Sequence, residues 1–259
     1  MRLGASTDVT RLEFVAAADL DYLEMALYEI APMTDEEFEA LGKKLEALDL
    51  HLEVVNGFTV KDMFVVGDDV DWDGFKAYCD KGLKRAKSLG AEVCLFGSGK
   101  ARNIPEGYDR QKGLEQIDKA LLIIGDAAKK YDMTLVIENL NYRETNTLNE
   151  VAEIIETVKR LGHPNIKAHV DFYHMTQIGE SLDVVANSEK DIVGHVHIAR
   201  GADRKFPAAE DAAELKKWKE TLEKCGYDGR VSLEAGPRVL ADYPIEIRVA
   251  RDVAMEIFK

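Results

Sequence analysis

Eight short runs of apolar or β-branched residues alternate along this chain with segments whose apolar residues recur at helical spacing. Such an alternation predicts strands that are joined by helices and therefore pair in parallel. Eight strand–helix units in 259 residues match the size of one closed barrel. We therefore predict an α/β fold, a (β/α)₈ TIM barrel that forms a single domain over residues 1–259. The predicted strands lie near residues 2–6, 20–24, 51–55, 92–97, 134–138, 166–171, 192–198 and 230–234.

An open, doubly wound sheet is the main structural alternative to a barrel. The first predicted strand–helix turn, GASTDVT, lacks the GxGxxG spacing of a dinucleotide-binding fold. The sequence also contains no proline-rich or low-complexity linker that would divide it into two domains. The least regular predicted helices are short, near residues 9–18 and 181–187. Thr34, followed by acidic residues, is a favourable N-cap for the longer helix that begins after it.

The charge and cysteine content restrict the classes of partner. The chain carries 48 acidic and 34 basic residues, a net charge of -14. A field of this sign repels a phosphate backbone and an anionic membrane, so we expect no nucleic-acid and no membrane partner. Cys79, Cys94 and Cys225 form no CxxC pair, and the N-terminal residues contain no apolar signal core. We expect a cytoplasmic protein whose partner is a small molecule, with homo-oligomerisation left open.

Four of the predicted strands stop at an ionisable residue. TLVIENLNYRE places Glu138 at the end of the fifth strand, and IKAHVDFYHM places Asp171 at the end of the sixth. IVGHVHIAR ends its apolar run near His197, and GRVSLEAGP ends on Glu234. In a barrel the carboxyl ends of the strands share one rim, where active sites are found. These four side chains are therefore expected to converge.

Converging carboxylates repel one another unless a cation lies among them. One imidazole and no thiolate suit a hard or borderline divalent ion. The pattern predicts one divalent metal ion, Mn²⁺ or Mg²⁺ before Co²⁺ or Zn²⁺, with Glu138, Asp171, His197 and Glu234 as ligands. The alternative interpretation is that each residue is an isolated polar group that hydrogen-bonds to a loop.

Three further histidines lie on or beside the sixth and seventh strands. His169 and His195 share strand parity with Asp171 and His197, so they should point into the barrel one layer below the rim. We predict that both are hydrogen-bonded interior residues rather than ligands. His174 follows the sixth strand and is expected in a loop that faces the metal site, where it would donate to a substrate oxygen.

The segments ENLNYRE, DFYHM and HVHIARGADR, together with the four strand ends, resemble the xylose-isomerase-like TIM barrel superfamily of sugar-phosphate isomerases and epimerases. The resemblance is strongest to the ketose 3-epimerase branch. The similarity of architecture covers essentially the whole chain, whereas the specific motifs lie within residues 134–236. The resemblance implies that Glu138, Asp171, His197 and Glu234 bind a single divalent metal and that Glu138 and Glu234 also act as acid and base.

The same resemblance implies a set of residues that bind the sugar hydroxyls. Glu144, His174 and Arg204 match these family positions. The loop ARGADR is one residue longer than the usual family pattern before Asp203, so Arg200 is the alternative to Arg204.

The reaction that these residues indicate is proton transfer next to a carbonyl. A divalent cation polarises a sugar carbonyl, one carboxylate removes the neighbouring proton, and a second returns a proton to the enediolate. Return to the opposite face of the same carbon is epimerisation, and return to the adjacent carbon is aldose–ketose isomerisation. We predict a ketose 3-epimerase. An aldose–ketose or hydroxypyruvate-type isomerase and a cyclitol (inosose) dehydratase or isomerase are the alternatives on the same site.

Two other classes are weaker alternatives. An abasic-site endonuclease shares the barrel but uses additional histidines on the early strands, and the fourth predicted strand here ends in Phe96-Gly97-Ser98. A non-catalytic sugar-binding barrel would gain stability from a metal without exchanging any substrate proton with solvent.

Several residues outside this cluster have two alternative interpretations each. The loop Gly97–Arg102 offers backbone amides and cations that suit a substrate phosphate or carboxylate, or it is simply a turn that needs glycine. Phe58 and Trp72 form an apolar lid or pack the top of the barrel. Glu24 and Glu53 are predicted to end the second and third strands, as structural residues or partners of the ligands.

Overall fold

Eight parallel strands close into a barrel in chain order in the computed structural model, which describes residues 1–236 and 242–259. The barrel closes where the last strand pairs with the first, with Arg230 beside Arg2 and Leu233 beside Ala5. The predicted TIM barrel in one domain is therefore confirmed. The strands are β1 (Arg2–Thr7), β2 (Tyr22–Ala26), β3 (Leu52–Asn56), β4 (Val93–Phe96), β5 (Thr134–Ile137), β6 (Ile166–Asp171), β7 (Val193–Ile198) and β8 (Arg230–Leu233).

Helices follow the strands and cover the outside of the barrel. Thr34 caps one of them as predicted, because its hydroxyl accepts from the Glu37 amide while the Glu37 carboxylate accepts from the Thr34 amide. The helices are α1 (Leu12–Ala16), α2 (Leu27–Ile30), α3 (Asp35–Ala47), α4 (Trp72–Ser88), α5 (Gly99–Arg102), α6 (Arg110–Lys130), α7 (Val151–Leu161), α8 (Phe172–Ile178), α9 (Asp183–Ala186), α10 (Ala212–Lys224) and α11 (Tyr243–Phe258), with a 3₁₀ turn at Ala209–Asp211.

The strands bury both of their faces. Outward-facing strand residues join the buried apolar faces of the surrounding helices in one large core. The inward-facing side chains form a second, smaller apolar cluster inside the barrel, made of Tyr22, Val54, Val93, Leu95 and Val136. These side chains fill part of the barrel interior, as in other barrels of this kind.

The mouth at the amino ends of the strands is closed by ion pairs. Glu53 is the second residue of β3, not its last, and its carboxylate accepts from Arg2 at 2.7 Å and from Arg230 at 2.5 Å. The prediction that Glu53 ends its strand is therefore wrong. Since these arginines lie on β1 and β8, the ion pairs connect three strands on the side of the barrel away from the predicted site.

The three cysteines are buried and free. Burial raises the pKa of the Cys94 thiol, which lies inside β4. None of the helices in the described residues is both long and apolar enough to cross a membrane.

Candidate metal centre

The structure brings the four strand-end residues together. Glu138 directly follows β5, Asp171 is the last residue of β6, His197 is the penultimate residue of β7, and Glu234 directly follows β8. One ligand atom from each of the four lies within 4.8 Å of the others. Glu138, Asp171 and His197 are buried, and Glu234 is buried except for 18% of its side chain. They form a compact cluster on one arc of the carboxyl rim.

His197 lies at the centre of this cluster. One of its ring nitrogens faces Glu24, and the other faces the three carboxylates. Its Nε2 lies 2.8 Å from Glu24 Oε1, within hydrogen-bond distance. Its Nδ1 has no hydrogen-bond partner among residues 1–236 and 242–259, although it lies 3.4 Å from Glu234, 3.7 Å from Glu138 and 3.8 Å from Asp171. A buried imidazole nitrogen that faces three carboxylates without a hydrogen bond is the arrangement a divalent cation requires, so the donor set fits a hard or borderline metal.

The side chains of the cluster shift one another's pKa values. Burial raises the pKa of Asp171 to about 8 and also raises the pKa of Glu138. Burial opposes the charge of His197 as well, but the carboxylates of Glu24 and Glu234 outweigh it and raise the imidazole pKa well above its usual range. Burial likewise acts against ionisation of Glu234, yet His197 and Arg204 hold its pKa well below normal. These shifts favour protons on Asp171 and His197 at pH 7.

Three local features set the positions of Glu138 and Asp171. The amide group of Asn139 bridges to the backbone of Asp171, accepting at 2.8 Å and donating at 3.1 Å, and so ties the ends of β5 and β6. Asp171 also caps α8, because its Oδ1 accepts from the His174 amide at 2.9 Å. A Cβ at Gly97 would lie 1.8 Å from Glu138 Oε2, so a larger residue there would displace that carboxylate from its present position.

The three predicted substrate-binding residues also lie at this cluster. Arg204 donates to Glu234 Oε2 at 2.7 Å and to Glu144 Oε1 at 3.4 Å. Asn141 connects Glu144 to His174, since its side-chain amide lies 3.1 Å from Glu144 Oε1 and 2.9 Å from His174 Nδ1. The alternative cation, Arg200, points elsewhere and pairs with Glu210 and Asp211. The geometry therefore favours Arg204.

His174 lies near the site but not in a loop. It is in the first turn of α8 and is fully buried. Burial and the charge of Arg204 lower its pKa to about 3, so the imidazole is neutral. Its Nε2 lies 3.9 Å from Asp171 and has no hydrogen-bond partner within the described part of the chain. The predicted loop is wrong, but the predicted orientation toward the cluster agrees with the structure.

Below the rim, a second polar layer surrounds Glu24. This residue is the third of five in β2 rather than its last, so the prediction that it ends the strand is wrong. Its carboxylate is fully buried and accepts from Ser232 at 2.6 Å, with His195 at 2.9 Å and His197 at 2.8 Å. Although burial acts against ionisation, the charges of His197 and His195 hold the pKa of Glu24 at about 2. Glu24 is thus the partner that orients His197 toward the rim.

The two interior histidines differ from each other. His195 is bonded to Glu24 as predicted. His169 has no hydrogen-bond partner on either ring nitrogen within residues 1–236 and 242–259, and its ring packs edge-to-face on His197 with centroids 4.3 Å apart. Burial lowers its pKa well below the usual range. The prediction that His169 is hydrogen-bonded is therefore wrong.

Two asparagines for which the sequence predicts no role also shape the site. Asn56 ends β3, where its amide contacts Ser6 at 2.7 Å and Glu234 Oε1 at 3.4 Å. Asn139 lies in the segment ENLNYRE, directly after Glu138. The signal for Asn56 is the same as for the four strand-end residues, a polar residue where a buried strand stops.

The loop after β4 does not present Arg102 to a ligand. Arg102 is fully buried and donates to backbone carbonyls, which corrects the proposed role of this residue in holding a substrate phosphate or carboxylate. Phe58 is fully buried and packs edge-to-face on Phe96 with centroids 5.8 Å apart, so it fills the top of the barrel. Trp72 begins α4.

A cavity of about 310 Å³ opens onto the cluster. Glu138, Glu144, Arg204 and Glu234 lie on its wall. The opposite wall comes from the ends of β1, β2 and β3, and includes Asp8, Arg11, Tyr28 and Asn56. This volume lies at the small end of the range for small-molecule sites.

A closed barrel with buried carboxylates and an imidazole at the carboxyl ends of its strands defines a TIM barrel with a candidate metal centre on its rim. The chain belongs to the xylose isomerase-like TIM barrel family, whose model matches residues 12–252. The predicted family resemblance is thereby confirmed.

The individual relatives have low sequence identity to this chain. The chain is 24% identical over 247 residues to a D-psicose 3-epimerase from Ruminiclostridium cellulolyticum, covering 94% of this chain and 83% of that protein. It is 32% identical over 141 residues to a 2-oxo-tetronate isomerase from Cupriavidus necator, covering 52% of each. A crystal structure of D-psicose 3-epimerase with D-tagatose, from Clostridium cellulolyticum H10, superimposes with a TM-score of 0.82 at 20% identity and full coverage of both chains.

Proposed function

We propose that this protein is a divalent-metal-dependent sugar isomerase or epimerase, and specifically a ketose 3-epimerase. The observation that carries the proposal is the convergence of Glu138, Asp171, His197 and Glu234 within 4.8 Å beside a cavity of sugar size. Family membership and the D-psicose 3-epimerases among the relatives support the substrate class.

Glu138, Asp171, His197 Nδ1 and Glu234 would hold the metal. A divalent cation bound there supplies Lewis acidity to a substrate carbonyl and its neighbouring hydroxyl, which is worth several kcal/mol of stabilisation. The structural support is His197 Nδ1, which faces all three carboxylates and has no hydrogen-bond partner in the described part of the chain.

Two carboxylates are in place to move a proton. Glu138 follows β5 and Glu234 follows β8, so the two approach the cavity from strands that are three positions apart around the rim. A sugar carbon bound between them would have one carboxylate on each face, which is the requirement for removing a proton from one face and returning it to the other. Arg204 at 2.7 Å and Asn56 at 3.4 Å contact the two oxygens of Glu234 and fix its orientation.

Polar groups on the cavity wall and behind the cluster would bind the sugar. Arg204 and Glu144 offer a donor and an acceptor on its wall. His174 Nε2 lies beside Asp171 and has a free ring nitrogen in the described structure. These groups orient hydroxyls next to the reacting carbon and exclude water from it.

Aldose–ketose isomerisation is the second candidate, because the same groups serve both reactions. The specific support is the 2-oxo-tetronate isomerase relative. It is 32% identical to this chain over the half that it matches, whereas the D-psicose 3-epimerase is 24% identical over nearly the whole chain. The two reactions differ in the carbon that receives the proton.

Proton NMR in deuterated water tests the proposal and separates the candidates. The protein is stripped with a chelator, reloaded with Mn²⁺ and incubated with ketoses, aldoses and their phosphates, and the Mn²⁺ is removed before spectra are recorded. Deuterium at C3 of a ketose together with its C3 epimer is the expected result. Deuterium at C1 of a ketose with appearance of an aldose would identify an isomerase, and no exchange with any substrate would contradict both.

The control for this assay is the chelator-treated protein that is not reloaded, together with Glu210→Gln. Glu210 is exposed and pairs with Arg200 away from the cluster, so its loss should leave exchange unchanged.

A further inference from the structure

Arg102 is a cation buried without a counter-ion. It is the last residue of α5, just after β4, and its side chain is completely inaccessible to solvent. Its guanidinium donates to three backbone carbonyls, those of Glu138 at 2.8 Å and of Phe96 and Leu148 at 3.4 Å each. No ion pair in the described residues includes it, and its Nε has no acceptor there.

This arrangement is expensive for stability alone. Removing a guanidinium from water without a carboxylate partner costs several kcal/mol, and an apolar side chain of similar volume would fill the same space. Burial lowers the pKa of Arg102 to about 10, and the negative charges of Glu138, Glu153 and Glu144 oppose that effect. Backbone carbonyls, and not an ion pair within the described residues, are therefore the direct partners of this charge.

The three carbonyls show what Arg102 holds in place. Phe96 ends β4, and Glu138 directly follows β5, so one guanidinium joins the ends of two neighbouring strands. Leu148 has a left-handed backbone with φ of 51° and closes the loop that begins at Glu138. That loop carries Glu144, which lies on the cavity wall, and Asn141, whose side-chain amide contacts Glu144 at 3.1 Å. Arg102 thus fixes both ends of the segment that contains a metal ligand and a sugar-binding residue.

We propose that Arg102 is a positioning residue, which clamps the backbone at Phe96, Glu138 and Leu148. Through this clamp it sets the place of the Glu138 carboxylate relative to Asp171, His197 and Glu234. The consequence for turnover rests on the proposed function, whereas the consequence for metal binding does not.

Two substitutions at Arg102 test the clamp. Arg102→Met keeps much of the volume and removes all three hydrogen bonds to backbone carbonyls, and Arg102→Lys keeps the positive charge but presents one ammonium in place of a planar fork, so it reaches fewer of these carbonyls. We expect Arg102→Met to weaken Mn²⁺ binding by about 10–100-fold, the range for groups that orient metal ligands. It should also broaden the EPR spectrum of bound Mn²⁺ and lower kcat more than it changes KM. Arg102→Lys should restore Mn²⁺ affinity in part while kcat stays low.

Arg85 provides the matched control. It also donates to three backbone carbonyls, those of Ile30, Ala31 and Met33, and it is largely buried, but it lies on α4 away from the cluster. Arg85→Met should lower the melting temperature and leave Mn²⁺ affinity and the EPR spectrum unchanged.

The proposal is overturned if both Arg102 variants bind Mn²⁺ with wild-type affinity and a wild-type EPR spectrum, even if they are less stable. It is also overturned if Arg85→Met weakens Mn²⁺ binding as much as Arg102→Met does. Should Arg102→Met fail to fold, the Arg102→Lys spectrum and kcat decide the question. Wild-type protein that binds Mn²⁺ but acts on no sugar would refute the proposed reaction and leave this test intact; wild-type protein that binds no Mn²⁺ would refute both.

Discussion

The two polar layers of the barrel use the same residue types in opposite ways. In the interior layer, the Glu24 carboxylate is satisfied by Ser232, His195 and His197 at 2.6–2.9 Å. In the rim layer, three carboxylates surround His197 Nδ1 at 3.4–3.8 Å with no hydrogen bond to it in the described residues. The Glu24 carboxylate therefore needs no further partner, whereas the lack of a hydrogen bond between His197 Nδ1 and the rim carboxylates is consistent with a site for a cation.

His197 belongs to both layers and connects them. Its Nε2 is committed to Glu24, which leaves Nδ1 free to face the carboxylates. The interior layer therefore acts on the rim by fixing the tautomer and the orientation of one ring. Substitutions in each layer test whether the two layers differ in this way. Substitution of Glu24 tests whether the interior layer affects metal binding at the rim.

The largest expected effect is loss of the proton-transfer groups on the rim. Glu138→Gln or Glu234→Gln should lower kcat by about 10³-fold, within the range for general acid–base catalysis, while some metal affinity remains. Asp171→Asn should lose metal and activity together. Steady-state rates at saturating Mn²⁺, with Mn²⁺ affinity measured in parallel, check both statements. Normal rates in Glu234→Gln would show that two bases are not used.

Removal of the connection between the layers should have a smaller effect. Glu24→Gln keeps the size of the side chain but removes the charge that orients the His197 ring. We expect Mn²⁺ affinity to fall by about 10–100-fold, as for other residues that support a metal-bound histidine. Isothermal titration calorimetry measures the change. An unaltered affinity would mean that Glu24 serves the barrel interior alone.

Metal binding should release protons from the rim layer. The pKa of Asp171 is raised to about 8 by burial, and the pKa of His197 is raised by Glu24 and Glu234 despite burial. Both groups are therefore protonated at pH 7, and both must lose a proton to bind a cation, so about two protons should leave per ion. The apparent affinity should rise as pH increases toward 8. Calorimetry in buffers of different ionisation enthalpy counts the protons, and a count of zero would contradict these protonation states.

The smallest effect concerns the unsatisfied member of the interior layer. His169 has no hydrogen-bond partner within residues 1–236 and 242–259, so His169→Leu removes a buried polar group without breaking a bond. We expect the free energy of unfolding to rise by about 1 kcal/mol, with Mn²⁺ affinity unchanged. Chemical denaturation measures this change. His195→Leu is the matched control and should destabilise, because it removes a partner of Glu24.

The elements that were predictable from the sequence have local signatures. Eight apolar runs separated by helical segments specify a parallel barrel. Each strand–helix unit can be recognised from a window of about 30 residues. The four rim residues were recognised because strand ends in a barrel share one rim regardless of their separation along the chain. Both inferences depend on periodicity and topology rather than on side-chain detail.

The residues that were misjudged depend on distant partners. Glu24 meets His195 and His197 across the barrel, 171 and 173 residues away in sequence, and no local pattern specifies that contact. The sequence gives no sign that Arg102 is buried. Its acceptors are backbone carbonyls, which every residue has, so no partner residue can be recognised. The second strand was placed two residues too early, which made Glu24 a strand end instead of an interior residue.

The central claim is that one divalent cation binds where β5 to β8 end. Anomalous diffraction from a crystal of the protein loaded with Mn²⁺ tests it most directly. We predict a single strong peak at about 2.0–2.3 Å from an oxygen of Glu138, Asp171 and Glu234 and from His197 Nδ1. A peak elsewhere, or no peak at a Mn²⁺ concentration that saturates any measured binding, would contradict the account.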